Sequence, residues 1–403
     1  MSGSGSAGGG VRAVSPRAWA QAVLDGDSRR GLRRAPRSRD GGSRVHALCD
    51  GREVVVFSAN DYLGLAVRSE VRVAAAAAAL DDGVGATGSR HLSGCHHAIA
   101  ALEDDLADFE GAATATLAPS GYAANVAVLQ ALGGRDAVVL SDERNHASIV
   151  DGCRLSRATV EVYPHGDMDA LERRLRAVED RAIVVSDTVF SMDGTVADVR
   201  TLATLTDRHG AWLVLDEAHA TGVLGPGGRG AAAEAGIDPR AEHIVRVVTL
   251  SKALGAAGGA VCGPVHVRAL LLQRGRALIF STAPAHPVVA AARAALRILR
   301  AEPELCDRVR AAAGRVRAAL SPVRAGGRDD VPTIPVVVGE ACSAVAAELE
   351  LLGRGYLVQA VRPPSVPPGT SRLRIAVSAA HTDGELDGVA AAVREVVQAA
   401  GRG

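Results

Sequence analysis

The sequence predicts an α/β fold built on a mostly parallel sheet, and three observations carry that expectation. Short apolar runs rich in Val, Ile and Leu alternate with longer Ala-rich helical patterns. The runs are nearly continuous in apolar residues, as expected of strands covered by helices on both faces. Polar residues collect at their C-terminal ends, where an open parallel sheet binds its ligands. At 403 residues the chain is long enough for two domains with a substantial core.

From the N-terminus, MSGSGSAGGG (1–10) has no apolar signal region and reads as a flexible leader. It opens an N-terminal arm expected over 1–55, followed by a large α/β domain over 56–288 and a smaller α+β domain over 289–403. VRVAAAAAAL (71–80) is too short for a membrane span and reads as a soluble helix. Buried parallel strands are expected at DAVVLSD (136–142), ATVEVYP (158–164), RAIVVSDTV (181–189), AWLVLDEAH (211–219) and IVRVVTLSK (244–252). Helices are expected between them, at MDALERRLRAVED (168–180) and VRTLATLTDRHG (199–210). One long connecting helix is expected near 290–320, then strands at TIPVVVG (333–339) and RLRIAVS (372–378), the latter preceded by the Pro-rich VRPPSVPPGTS. Acidic and basic residues balance at 45 each, so no basic field points to nucleic acid or an anionic membrane. Six scattered cysteines without a C-x-x-C fit reduced thiols in a cytoplasmic protein.

Of the 45 Lys and Arg residues only one is lysine, Lys252, which ends the 244–252 strand. A guanidinium stays protonated, whereas an ε-amine can lose its proton and attack a carbonyl, so a lone lysine is a candidate Schiff-base former. Asp216 ends the 211–219 run, Ser191 follows the 181–189 run and His146 follows the 136–142 run. A pyridoxal phosphate site needs a lysine for the aldehyde and a carboxylate to keep the ring nitrogen protonated. It also needs N–H groups at a helix start and a hydroxyl for the phosphate. SGYAANVAVLQAL (120–132) supplies the helix start, and Thr249 supplies the hydroxyl. Taken singly, an Asp after a strand is usually a turn or capping residue, and Ser-Gly before a helix is usually only a cap. Their joint occurrence in this order favours the cofactor.

The chain resembles the α-oxoamine synthases, pyridoxal-phosphate enzymes of fold type I (aspartate aminotransferase-like). The resemblance rests on SANDYLGL (58–65), GATGSRHLSG (85–94), PSGYAAN (119–125), NHASIVDG (145–152), FSMDG (190–194), DEAHATGVLGPGGRG (216–230), TLSKALGAAGG (249–259), FSTAP (280–284) and RPPSVPPGTSRLRIAVSAAHT (362–382). It implies that Lys252 holds the cofactor aldehyde and then removes the α-proton of a bound amino acid. Asp216 would pair with the pyridine nitrogen, His219 would bond the ring's phenolic oxygen with Ser191 nearby, and His146 would stack on the ring. Gly121, Tyr122 and Thr249 would hold the phosphate, joined by Ser281 and Thr282 from the other subunit of a homodimer. Arg374 would pair with the substrate carboxylate, while Arg362, Ser365 and Arg34 would meet the acyl substrate. The implied reaction condenses a small amino acid, L-alanine by the nearest likeness, with a pimeloyl thioester of coenzyme A or acyl carrier protein. CO₂ and free thiol leave, as in biotin synthesis. A sister enzyme with another amino acid or acyl thioester is the alternative, because Ser365 stands where Thr is expected and GCHHAI departs from the family wording.

Three other motifs lead elsewhere. DEAH (216–219) has the letters of a helicase box, but no Walker A exists because Ser251 and Ala253 flank the only lysine. GVGATGSR lacks the strand-then-helix setting of a dinucleotide loop and reads as an interface loop. HLSGCHH (91–97) sets His91, Cys95, His96 and His97 at zinc-like spacings, yet no second ligand cluster stands out in the sequence, so no metal is expected.

Overall fold

The computed structural model describes residues 15–42 and 44–400; the leader at 1–10 lies outside them. The centre is a seven-stranded sheet in the order Thr114–Ala118, Gly259–Gly263, Ile244–Thr249, Trp212–Asp216, Arg181–Asp187, Ala137–Asp142, Thr159–Tyr163. The five strands expected from sequence run parallel to one another. Gly259–Gly263 is antiparallel to both of its neighbours. Apolar clusters cover both faces, one around Val128, Val139, Ile183, Val214 and Val247, the other around Leu140, Val184, Leu213, Leu215 and Val248. Alternate residues of one strand therefore feed opposite cores, which explains why the strands read as unbroken apolar runs.

Two expectations are corrected. The Thr159–Tyr163 strand lies at the sheet edge and buries only Tyr163, because one of its sides has no neighbour and its outer face has little helix over it. The long helix near 290–320 is two, His286–Ala301 and Glu304–Leu320. Pro303 lies at the break; it has no N–H for the helix ladder and its ring would clash with the preceding turn, so one helix stops and another starts.

The C-terminal part carries a three-stranded antiparallel sheet, Thr333–Gly339, Ser371–Ala376 and Gln359–Val361, with Ser371–Ala376 in the middle. Helices Ala341–Gly353 and Asp383–Ala400 accompany it. Arg52–Val56 of the N-terminal arm pairs in parallel with Tyr356–Leu357, so chain beginning and chain end share one small sheet. Among the described residues, no helix is long and apolar enough to cross a membrane.

The chain leaves Ala137–Asp142 for the outer strand Thr159–Tyr163 and then returns inward to Arg181–Asp187. Strand order thus reverses beside Ala137–Asp142, and parallel sheets open a crevice at such a reversal, beyond the carboxyl ends. The site residues lie along that crevice.

Candidate active site

Asp216 is the last residue of its strand and is buried. Its carboxylate accepts from Asn125 Nδ2 at 2.6 Å and from the Ala218 N–H at 2.8 Å. Asn125 also donates to Ser148 Oγ at 2.9 Å, and Ser148 Oγ lies 2.7 Å from His146 Nδ1. A continuous polar chain therefore orients both Asp216 and the imidazole of His146, which caps helix Ala147–Leu155.

Asp187 was not singled out from the sequence, although it ends its strand just as Asp216 does. The two are register partners on adjacent strands. Asp187 accepts from the His146 N–H at 2.8 Å. Burial first, and then the charge of Asp216, push its pKa well above the usual carboxylate range, so it holds its proton more tightly. Across the crevice, burial lowers the Lys252 ammonium from its ordinary value, while Asp216 and Asp187 pull it back up. His146 is also lowered, chiefly by burial and further by Lys252.

His219 is buried in the turn after Asp216 and is held well below its ordinary value by burial, then by the charges of Lys252 and Arg374. It is a neutral imidazole at neutral pH. Its Nδ1 lies 2.6 Å from the hydroxyl of the fully buried Tyr62. Tyr62 sits 3.3 Å from Asn60 Oδ1 and 3.4 Å from Thr333 Oγ1. Arg374, buried on the middle strand of the small sheet, donates from Nη2 to those same two oxygens at 3.1 and 3.2 Å. Its Nε donates to the Ser191 carbonyl at 2.8 Å. The single Tyr62 proton can go to Asn60 Oδ1 at 3.3 Å or to His219 Nδ1 at 2.6 Å, and along the shorter contact Nδ1 is the acceptor. That leaves the His219 proton on Nε2. The Nη1 end of Arg374 has no protein partner among the described residues.

Gly121 and Tyr122 open helix Gly121–Leu132, where Ser120 Oγ accepts the Ala123 N–H at 3.0 Å. The first-turn N–H groups of Gly121 and Tyr122 have no partner inside a helix. Thr249 Oγ1 is adjacent; a Cβ at Gly121 would come within 3.2 Å of it. A Cβ at Gly259 would stand 2.7 Å from the Gly121 nitrogen, so the antiparallel strand needs glycine to let this helix start approach. The Tyr122 ring points away, its hydroxyl donating to Asp151 at 2.5 Å, so Tyr122 contributes backbone here.

The arm and the Pro-rich loop meet: Arg34 donates to the Pro363 carbonyl at 3.0 Å, and Arg362 donates to the Gly31 carbonyl at 2.6 Å. The Ser365 N–H donates to the Arg362 carbonyl at 3.1 Å. Ser281 and Thr282 follow the short helix Arg276–Ile279, and no hydrogen bond among the described residues ties them to the Lys252 cluster.

The cluster fits a planar aldehyde bearing a ring nitrogen and a phosphate. It offers one amine of lowered basicity, a fixed carboxylate, a neutral N–H donor, and a helix start with unpaired N–H groups beside a hydroxyl in a cradle that a Cβ would fill. Asn60, Tyr62, Asn125, Ser148, Asp187 and Thr333 complete it; of these, Asp187 alone could have been found by its strand-end position.

Comparison with known proteins agrees. Residues 52–393 match the sequence profile of the family Aminotransferase class I and II. The chain is 46% identical over 378 residues to an 8-amino-7-oxononanoate synthase of Burkholderia thailandensis, covering 92% of this chain and 95% of that protein. A serine palmitoyltransferase from Sphingomonas wittichii superposes with a TM-score of 0.88 at 29% identity, covering 96% of this chain and 97% of the other. A variant serine palmitoyltransferase from S. paucimobilis, solved with bound PLP, gives 0.89 at 28% identity, covering 95% and 98%.

Proposed function

This chain belongs to the α-oxoamine synthases within the class I and II aminotransferase family, and on that premise we propose that it condenses L-alanine with a pimeloyl thioester. The products are 8-amino-7-oxononanoate, CO₂ and free thiol, the condensation that serves biotin synthesis. The observation that carries the reading is the convergence of Lys252, Asp216, His219 and Arg374 on one crevice, in a chain 46% identical to an 8-amino-7-oxononanoate synthase. The acyl group arrives on coenzyme A or on acyl carrier protein.

Pyridoxal phosphate, when bound, supplies an aldehyde for the amino-acid nitrogen and a ring that accepts the electrons left at the α-carbon. The residues of this chain do the rest. Lys252 would hold the aldehyde and take the α-proton; burial lowers its ammonium, which raises the share of free amine at neutral pH. Asp216, clamped by Asn125 and the Ala218 N–H, would pair with the ring nitrogen. His219 would donate from Nε2 to the phenolic oxygen, its other nitrogen being occupied by Tyr62. His146, held by Ser148 and by the grip of Asp187 on its backbone, would cover one ring face.

Gly121 and Tyr122 N–H groups and the Thr249 hydroxyl take the phosphate. Arg374 offers Nη1 to the substrate carboxylate while Nε and Nη2 fix its plane. Arg34, Arg362 and Ser365 flank the acyl entrance, where the arm and loop are joined. The working unit is a cytoplasmic homodimer in which Ser281 and Thr282 reach the phosphate of the second copy. Phe280, beside them, is 71% exposed and Leu92 is 89% exposed, apolar surface that a second copy would cover.

The test is twofold. Lys252→Arg keeps the charge but cannot bond the aldehyde, so the visible absorbance of the lysine-attached cofactor should vanish; an unchanged spectrum overturns the assignment. Thiol release measured with alanine, glycine and serine against a panel of acyl thioesters should be greatest for alanine with pimeloyl. Preference for serine with a long acyl chain would instead favour the serine palmitoyltransferase reading, which the structural neighbours make the natural rival.

A further inference from the structure

The HLSGCHH segment has no part in the chemistry above. Folding separates its members: His91 Nε2 turns to the Leu272 carbonyl at 2.8 Å, and Cys95 accepts from Arg90 at 3.1 Å. His96 goes the other way, to two residues far off in sequence. Asp82 caps the end of helix Ser69–Asp81, His96 caps the start of His97–Glu110, and His286 begins His286–Ala301. One ligand atom from each of the three lies within 4.8 Å of the others.

We propose that Asp82, His96 and His286 form a site for a late first-row divalent cation of the zinc class, fastening three helix ends together. His96 Nε2 and Asp82 Oδ1 are 3.5 Å apart. Two ligands on one tetrahedral zinc stand roughly 3.3 Å apart, given Zn–N and Zn–O bonds of about 2.0–2.1 Å. The imidazoles of His96 and His286 stack at 4.1 Å between centroids, inclined by 24°, so a shared ion requires one ring to turn until both in-plane lone pairs meet at it. His286 Nδ1 donates to the Asp82 carbonyl at 3.1 Å, which leaves Nε2 with a bare electron pair. A ligating histidine is usually held this way through its other nitrogen.

His96 is the costlier ligand. Its Nδ1 accepts the Ala98 N–H at 3.4 Å, a long contact, so without metal the proton sits on Nε2 and faces Asp82. Coordination moves that proton to Nδ1 and surrenders the Ala98 contact; no electron is transferred. Two imidazoles and one carboxylate suit zinc, nickel or cobalt, whereas calcium and magnesium prefer oxygen ligands throughout. Three protein ligands leave at least one position for water. His286 comes four residues after Thr282, so the ion would also anchor the segment Ser281–Ala285, already tied at Ala283 N–H to the Gly88 carbonyl at 3.0 Å.

The test titrates chelator-stripped holoenzyme with zinc chloride by calorimetry and follows Tm against zinc concentration. One ion per chain is expected, with Tm rising as zinc is added. Affinity should fall at least about tenfold in His286→Gln, which keeps an N–H for the Asp82 carbonyl, in Asp82→Asn, and in His96→Asn, which preserves a helix cap. Cys95→Ala and His97→Ala should bind as the parent does. Absence of saturable binding, retention of affinity in His286→Gln, or loss of binding in Cys95→Ala overturns the proposal.

Discussion

Tyr62→Phe removes a single oxygen from the site and tests the polarity of its hydrogen-bond chain. Tyr62 is fully buried, and its hydroxyl is 2.6 Å from His219 Nδ1. The phenyl ring that remains keeps the packing, so the loss is confined to the hydroxyl and its three neighbours. His219 Nδ1 would then stand buried without a donor, at a cost of roughly 1–3 kcal/mol. With no donor facing Nδ1, the Nε2–H form loses its advantage over the Nδ1–H form, which leaves Nε2 without a hydrogen. If the bias toward the Nε2–H form is lost by the same amount, kcat/KM for thiol release falls roughly 5- to 150-fold. The decisive assay is ¹⁵N NMR of cofactor-free protein labelled at histidine, with His219→Gln identifying the resonances. The parent should show an acceptor Nδ1 and a protonated Nε2; Tyr62→Phe should show a mixture or the reverse. The urea-unfolding profile should keep the slope of the parent, which separates local rearrangement from damage to the fold. If His219 keeps its Nε2 proton and the enzyme keeps its rate in Tyr62→Phe, the relay does not exist.

Arg374→Ala should raise KM for the amino acid roughly 10- to 150-fold, the worth of a charge-assisted bond, while KM for the thioester changes little. Initial-rate kinetics with each substrate varied in turn decide it, and the reverse pattern would reassign Arg374 to the acyl substrate. His381 predicts an acid limit on stability. It stacks on Phe57 at 4.1 Å, accepts the Ser378 N–H at 3.0 Å and contacts the Val56 carbonyl at 3.2 Å, and burial lowers it from 6.5 to about 4. The unfolded chain therefore takes the proton first. Stability from His381 is present above pH 6.5 and drains away as pH falls toward 4, a loss of about 3 kcal/mol. Urea unfolding of the parent and of His381→Gln at both ends of that range should give a shallower fall for the variant; equal falls would mean that His381 is not the group responsible.

The residues that the sequence singled out at strand ends share one property: each stands at the C-terminal end of an apolar strand or in the turn that follows it, and a parallel sheet sends those ends to one crevice. Lys252, Asp216 and His146 could be assigned on that ground because the rule depends on local pattern and chain direction alone. Two strands of the same sheet escaped notice for a physical reason. TATLA and GAVCG are made of small residues with little strand preference, and what makes them strands is hydrogen bonding to each other and to Ile244–Thr249. Pairings between distant parts of the chain were equally out of reach. Tyr62 and His219 are 157 positions apart, Arg374 and Asn60 are 314 apart, and Asp187 meets Asp216 only through strand register.

Sequence by itself determined the chemistry available to this protein: one amine able to lose its proton, a carboxylate at the end of the preceding strand, and a glycine-opened helix. The tertiary structure decided how those groups are tuned. Burial lowered Lys252 and His219, a second carboxylate came to lie beside Asp216, and the hydroxyl of Tyr62, 157 positions away, came to lie 2.6 Å from His219 Nδ1. Desolvation and hydrogen-bond direction depend on what surrounds a group in space, and neighbours in space are fixed only when the chain has closed on itself.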